Sequence, residues 1–316
     1  MALVASVDVR VKVVVVDNGC TDGAVERLRQ RPEITILSPG RNLGFAGGCN
    51  LGATRADSDF IAFVNGDALV APDAVARLAE VASAPDVGIA SASIRLAEDP
   101  ERLNSGGNDI HFLGLSWSGS FGRPATTLPD PREITGASGA GMLLRREVWE
   151  ALGGFCDQYF AYHEDAELSL RCWHRGWRVI YVPSAVVRHR YEFSRNRRKL
   201  YLVERNRLIL VLTVFEARTL LMLSPALVAL ELAMAAVSVA QGWARDKFYG
   251  WAWIWRNRRW LRERRGQLQC ERVVRDKALA PRFADRWRAE NLPLPSCLRM
   301  ADHALAVYWS VIRRLL

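Results

Sequence analysis

Along the first part of the chain, short apolar runs alternate with longer stretches of mixed polarity. Residues 11–17, VKVVVVD, form a β-branched run closed by Asn18-Gly19, which predicts a buried parallel strand ending in a turn. Residues 22–29 have helical character, with Thr21 or Asp22 placed to cap them. Strands are expected over 34–37, 60–64 and 87–92, and helices over 48–55 and from Pro72 to about residue 82. Such alternation predicts an α/β layer structure with a mainly parallel sheet. Residues 95–131 are richer in Gly, Ser and Pro and read as loops with short strands. A second ordered block follows: strand 141–145, helix 146–152, helix 164–175 stopped by Gly176, and strand 177–182.

The pattern changes beyond residue 190. Residues 219–244 contain one charge, Glu231, over a length that could span a bilayer, although Pro225 interrupts the run and Glu231 sits near its middle. The competing expectation is two shorter helices lying in an interface or packing on the rest of the protein. Five tryptophans, Trp243, Trp251, Trp253, Trp255 and Trp260, alternate with arginines just downstream, as suits a membrane headgroup zone.

Charge sharpens this division. Residues 1–187 carry 17 Lys+Arg against 23 Asp+Glu, a net of −6, and residues 188–316 carry 26 against 11, a net of +15. A basic half points to anionic lipid, pyrophosphate or nucleic acid. No nucleic-acid module accompanies the aromatic-basic pattern, so no nucleic-acid partner is expected. Half of the residues are hydrophobic, which excludes wholesale disorder. The six cysteines form no C-x-x-C pair, which argues against structural zinc and for reduced thiols in the cytosol. The N-terminal stretch lacks the basic start, long apolar middle and small-residue cleavage site of a secretory signal.

In a parallel sheet, ligands gather at the carboxyl ends of strands. Asp17 and Asp67 fall there. Asp17 beside Asn18-Gly19 could meet a base or ribose, or could simply form the turn. Asn65-Gly66-Asp67 could hold a divalent cation that bridges a diphosphate; Asn-Gly is also a frequent turn pair. Glu164-Asp165 follows a run of aromatics and could supply a general base, or could merely complement a helix dipole. His189 could add a metal ligand if the fold brought it to Asp67.

Taken together, these segments resemble an inverting nucleotide-sugar glycosyltransferase of the GT-A fold, family two, with rhamnosyltransferase-like and galactofuranosyltransferase-like members nearest. VVVVDNGCTDG is similar to the strand and turn that contact the nucleoside, GRNLGFAGGCNLGA to the N-x-G-x-a-x-g-x-N segment, and FVNGDALVAPDAV to the DXD region with Asn65 in the first position. The block from Ile134 to His189 is similar to the acceptor side almost throughout. The resemblance implies a GT-A catalytic domain over 1–190 and a helical, basic, membrane-associating region over 191–316. It implies donor binding by Asp17, Asn18, Asn42 and Asn65, Mg²⁺ or Mn²⁺ at Asp67 and His189, and Asp165 as catalytic base supported by Glu164. Arg195, Arg197 and Arg198 would meet the phosphates of a polyprenyl-linked glycan acceptor at the cytoplasmic face of a membrane. The family pattern begins with a strand and helix ahead of the 11–17 run. Only about ten residues precede that run here, so a truncated start and an inactive fragment are the rival expectation, with a non-enzymatic basic membrane-binding module as the other.

Overall fold

The computed structural model describes residues 2–190, 198–290 and 299–316. In chain order the elements are β1 (Val13–Val16), α1 (Ala24–Arg29), β2 (Ile34–Leu37), α2 (Gly44–Ala53), β3 (Phe60–Val64), β4 (Ala68–Val70), α3 (Ala74–Ala82) and β5 (Val87–Leu96). Short strands β6 (Leu103–Ser105), β7 (Asn108–Ile110), β8 (Ser116–Ser118) and β9 (Arg132–Glu133) lead to β10 (Gly141–Arg145) and α4 (Arg146–Leu152). Then come α5 (Glu164–His174), β11 (Arg178–His189), α6 (Lys199–Val214), α7 (Ala217–Ala240), α8 (Ala244–Arg256), α9 (Arg258–Cys270), α10 (Asp276–Leu279) and α11 (Arg299–Leu315).

The main sheet runs β3-β10-β5-β11-β4, with β6 beside β5 and β9 beside β11. It is mixed, where the alternation of elements predicts a mainly parallel one. β5 and β11 pair in parallel, but β10 arrives through the irregular 97–140 stretch and inserts antiparallel between β3 and β5. A strand entering through loops, without a crossover helix, is free to run either way. β5 occupies the centre: the first eight of its ten residues are buried, consistent with a strand covered on both faces. Gly88 is required there, because a Cβ would collide with the Cys172 Sγ of α5 and with Trp177. On the other face α3 buries Val75, Leu78 and Ala82 against the sheet.

β1 and β2 form a separate two-stranded parallel sheet. The expected burial of β1 is not met: all four of its valines are half-buried. Among the described residues, β1 pairs only with β2 and β3 pairs only with β10.

The helical region is continuous with the sheet region through shared packing. Leu210, Val211, Val214, Phe215 and Trp309 belong to the same apolar cluster as Ile89, Phe112 and Met142. α7 is one helix, where Pro225 suggests two. A proline at 225 cannot donate to the Leu221 carbonyl, and the Ser224 hydroxyl takes that carbonyl instead at 2.8 Å.

Candidate active site

The β3–β4 turn and the end of β11 meet because of ladder register. β11 runs antiparallel to β4 with His189 opposite Ala68, which puts the imidazole beside Asp67. His189 Nε2 lies 3.2 Å from Asp67 Oδ1 and 3.1 Å from the Asn65 amide nitrogen. The tertiary structure thus brings Asn65, Asp67 and His189 together from positions 124 residues apart. The donor set fits a six-coordinate divalent ion: two adjacent ligands each about 2.1 Å from such an ion lie about 3 Å apart. Among the described residues no cluster of three or more His, Cys, Asp or Glu surrounds it, so the protein would offer two strong ligands and leave positions for a diphosphate. Among the described residues the buried His189 Nδ1 has no hydrogen-bond partner, and Nε2 is the nitrogen that faces this corner.

Asp165 sits at the second position of α5 and is held from three directions. Its Oδ2 accepts from Asn108 Nδ2 at 3.0 Å and from the Gly139 N–H at 3.0 Å, and its Oδ1 accepts from the Ala166 N–H at 2.8 Å. Burial pushes its carboxyl above the usual range, and the donors of Gly139, Ala166 and Asn108 pull against that rise. Glu164 differs. It is 6% exposed, its Oε2 has no hydrogen-bond partner among the described residues, and burial followed by the charge of Asp165 drives its carboxyl well above the ordinary range. Of two neighbouring carboxyls, the unsupported one is pushed further towards its protonated form than the hydrogen-bonded one.

Gly139 and Ala140 join the two corners. The Gly139 N–H holds Asp165, and the next carbonyl, Ala140, accepts from the Asn65 N–H at 3.4 Å. The start of α2 closes in on the same place. A Cβ on Gly139 would press on the Phe45 ring at 3.0 Å, and a Cβ on Gly44 would strike the Phe160 backbone. Gly44 therefore has to be glycine twice over, since its φ is also +73°.

The loop ahead of α5 is strained. Phe160, Tyr162 and His163 all have positive φ, at 64°, 69° and 68°. Such residues cost about 1–3 kcal/mol each and persist only where their surroundings over-determine them. α6 supplies that determination. Asn206 Nδ2 donates to the carbonyls of Tyr159, Ala161 and Tyr162 at 2.9, 2.8 and 2.6 Å, and Arg205 Nη2 donates to those of Gln158 and Tyr159 at 2.8 and 3.0 Å. Below it, Glu167 on α5 is clamped by Arg171 and by Arg264 of α9, each at 2.7 Å. The orientation of the acidic pair is thus fixed by helices from the basic half.

The sequence-predicted donor residues occupy a neighbouring turn. Asp17 Oδ1 accepts from the Gly19 and Cys20 N–H groups at 3.0 and 2.9 Å, and these donors, Cys20 first, lower its carboxyl below the usual range. Asn18 ties that turn to α2, donating to the Gly44 carbonyl at 2.9 Å and accepting from the Leu43 N–H at 3.1 Å. Asn42 is exposed and accepts from the Gly44 N–H at 2.8 Å. Arg195 and Arg197 lie outside the described residues; Arg198 stands at the start of α6, next to Lys199, whose ammonium lies 5.5 Å from the centre of the Tyr162 ring. Burial lowers the Lys199 ammonium to about 8. Sequence reasoning missed Asn108, Asn206 and Arg205. The run Glu204-Arg205-Asn206-Arg207 inside an otherwise apolar helix was the available signal for the last two.

Residues 3–153 match the family model "Glycosyl transferase family 2". Two Mycobacterium tuberculosis proteins, from strains CDC 1551 / Oshkosh and ATCC 25618 / H37Rv, are both named N-acetylglucosaminyl-diphospho-decaprenol L-rhamnosyltransferase. Each is 31% identical over 216 residues, covering 59% of this chain and 69% of the relative. The O-antigen biosynthesis protein RfbC of Myxococcus xanthus is 27% identical over 154 residues, 46% of this chain and 12% of that protein. Among solved structures, GalNAc-T7 with UDP, GalNAc and Mn²⁺ superposes with a TM-score of 0.55 at 17% identity, over 65% of this chain and 42% of that one. S. aureus TarS 1-349 gives 0.50 at 13% identity, over 99% and 83%. These two structures support the fold alone.

Proposed function

The chain belongs to glycosyl transferase family 2, and from that premise we propose that it transfers a sugar from a nucleoside diphosphate to a polyprenyl-linked glycan by a single inverting displacement that depends on a divalent metal. A glycosyltransferase of the GT-A fold needs a place for the departing diphosphate and a base for the attacking hydroxyl. The observation that carries the reading is the pair of adjacent residues, Gly139 and Ala140, which support Asp165 and the Asn65–Asp67 turn at once.

Asp165 takes the proton of the acceptor hydroxyl, and the oxygen attacks the anomeric carbon as the bond to the diphosphate breaks. Its three donors set the direction of the carboxylate, and Glu164, keeping its proton, adds no second negative charge beside the incoming hydroxyl. Asp67 and His189 would hold the cation, with Asn65 beside the phosphates; when bound, it supplies positive charge against the departing diphosphate. An imidazole in the ligand set favours Mn²⁺ over the strictly oxygen-seeking Mg²⁺. Asp17 and its turn would meet the nucleoside. The names of the mycobacterial relatives favour rhamnose as the sugar and an N-acetylglucosaminyl-diphospho-polyprenol as the acceptor, with galactofuranose as the other candidate sugar. Such an acceptor would place the enzyme at the cytoplasmic face of the cell membrane.

A thermal-shift screen of nucleoside diphosphates with and without Mn²⁺ tests this. Nucleotide is expected to stabilise the protein only with metal present, and Asp67→Ala to abolish that response while leaving the melting of the free protein unchanged. Equal stabilisation with and without Mn²⁺, or an unchanged response in the variant, removes Asp67 from the site.

A further inference from the structure

Helix α7 presents its apolar side outward. Leu221, Val228, Leu232 and Val239 are 76%, 58%, 66% and 66% exposed. Their spacings of 7, 4 and 7 residues put them on one line along a helix of 3.6 residues per turn. Of the whole helix only 11% of its most apolar window is buried. Its one acidic residue is turned aside from this line into the protein: Glu231 meets Arg207 of α6, Lys247 of α8 at 3.0 Å, and the Trp251 indole N–H at 2.5 Å. Burial opposes the charge on Glu231, but Arg207, Trp251 and Lys247 outweigh it and hold the carboxyl below its usual range. Arg207 is fully buried and bonded to Glu204 and Glu231, so α7 is fastened to the body of the protein along its inner side. A helix that crossed a bilayer would have to leave those partners.

Beside the stripe, α6, α7, α8 and α9 enclose an open groove of about 620 Å³. Its walls are apolar, from Leu212, Leu220, Trp251, Ile254, Trp255 and Leu261. Its rim carries Arg258, Arg262 and Arg265, at spacings that place all three on one face of α9. They donate to main-chain carbonyls, those of Trp255, Arg258 and Leu212 at 3.0, 3.2 and 2.8 Å. Among the described residues none of the three has a carboxylate partner, whereas their neighbours Arg259 and Arg264 pair with Glu263 and Glu167. Trp255, 67% exposed, lies at the same mouth, with Arg258 over its ring at 4.9 Å. An apolar slot with guanidinium groups at its lip that make no ion pair among the described residues matches an acyl chain ending in a phosphate. α11 continues the surface with Val307 and Val311, 52% and 50% exposed, and its Tyr308 hydroxyl is bonded to α7 at Met222.

We propose that this face docks on an anionic phospholipid bilayer, with α7 lying along the surface and a phospholipid seated in the groove between Trp255 and the three arginines. The inference deepens the membrane location argued above, and because it is read by lipid binding without any sugar or nucleotide, its outcome is separate from that of the transferase reading.

The test is flotation of the full chain with vesicles of phosphatidylcholine alone and of phosphatidylcholine mixed with phosphatidylglycerol. The wild type is expected to float with the anionic vesicles. The combined change Arg258→Gln, Arg262→Gln and Arg265→Gln should weaken that binding roughly tenfold or more, since each basic residue at an anionic surface contributes. Leu221→Ser, Val228→Ser and Leu232→Ser together should abolish it, with thermal melting unchanged because the three side chains are exposed. In the wild type, brominated acyl chains should quench tryptophan fluorescence, and external protease should leave no protected fragment. Failure of the wild type to float, or absence of quenching, overturns the proposal. A protected fragment containing α7 overturns it in favour of a span. Loss of a dimer by light scattering in the serine variant, with flotation unaltered, overturns it in favour of a second copy of this chain.

Discussion

Asp165 and the turn that carries Asp67 are tied to adjacent peptide groups, yet the two carboxylates are built in opposite ways. Asp67 stands in the β3–β4 turn with its side chain 38% exposed, facing His189 across 3.2 Å. Asp165 is sunk beside a buried glutamic acid, receives three hydrogen bonds and follows a loop with three left-handed residues. The difference matches what each is proposed to do. A group that shares a cation with a substrate has to stay open for the diphosphate to enter and leave. A group that removes one proton gains most from a fixed direction and a tuned affinity, and both are made by burial and surrounding donors.

The comparison breaks most visibly at Asp165. Asp165→Asn preserves shape but removes the proton acceptor, and turnover is expected to fall by at least about 10²-fold with nucleotide binding retained. Glu164→Gln, which replaces a neutral acid with a neutral amide, should be the milder change. Steady-state rates beside nucleotide-induced melting shifts measure both, and the reverse order would exchange the two roles.

A smaller effect is expected from the support. Asn206→Ala strips donors from the carbonyls of Tyr159, Ala161 and Tyr162, and a buried acceptor left unmet costs about 1–3 kcal/mol. Melting should drop by several degrees, and kcat should fall further than donor affinity. An equal loss at both corners would show that α6 supports the whole fold and has no particular hold on the acidic loop.

Most selective is the response to pH. His163, next to Glu164, and His111 are held by burial at about 4, below the ordinary 6.5. Their depressed values mean that the folded form prefers them neutral. Stability is therefore complete above about pH 6.5 and is lost as pH falls towards about 4, by roughly 3 kcal/mol per histidine at most. His163→Asn should flatten part of that acid slope in melting curves recorded across this window. An unchanged slope would place the pH sensitivity elsewhere.

Much of the candidate site was readable from residues in a row. The VVVVD run, the Asn65-Gly66-Asp67 turn and the Glu164-Asp165 helix start are local patterns, and β1, β3 and α5 lie where those patterns put them. The neighbourhood of His189 was not readable, because it depends on β11 extending seven residues beyond the expected 182 and pairing with β4. Nor was the holding of Asp165: Asn108 lies 57 residues away on a short strand inside the stretch that reads as loops, and Asn206 belongs to a helix expected in another domain.

By itself, then, the sequence determined the kind of protein, the order of its elements and the residue types able to bind a cation or move a proton, because periodicity, turn chemistry and motif spacing act over a few residues. It left the mixed sheet, the meeting of Asp67 with His189, the burial of Glu164 beside Asp165 and the inward turn of Glu231 to the tertiary structure. Each of these rests on ladder register, on burial, or on which face of a helix finds a partner. Those quantities come into being only when segments far apart in the chain compete for the same interior.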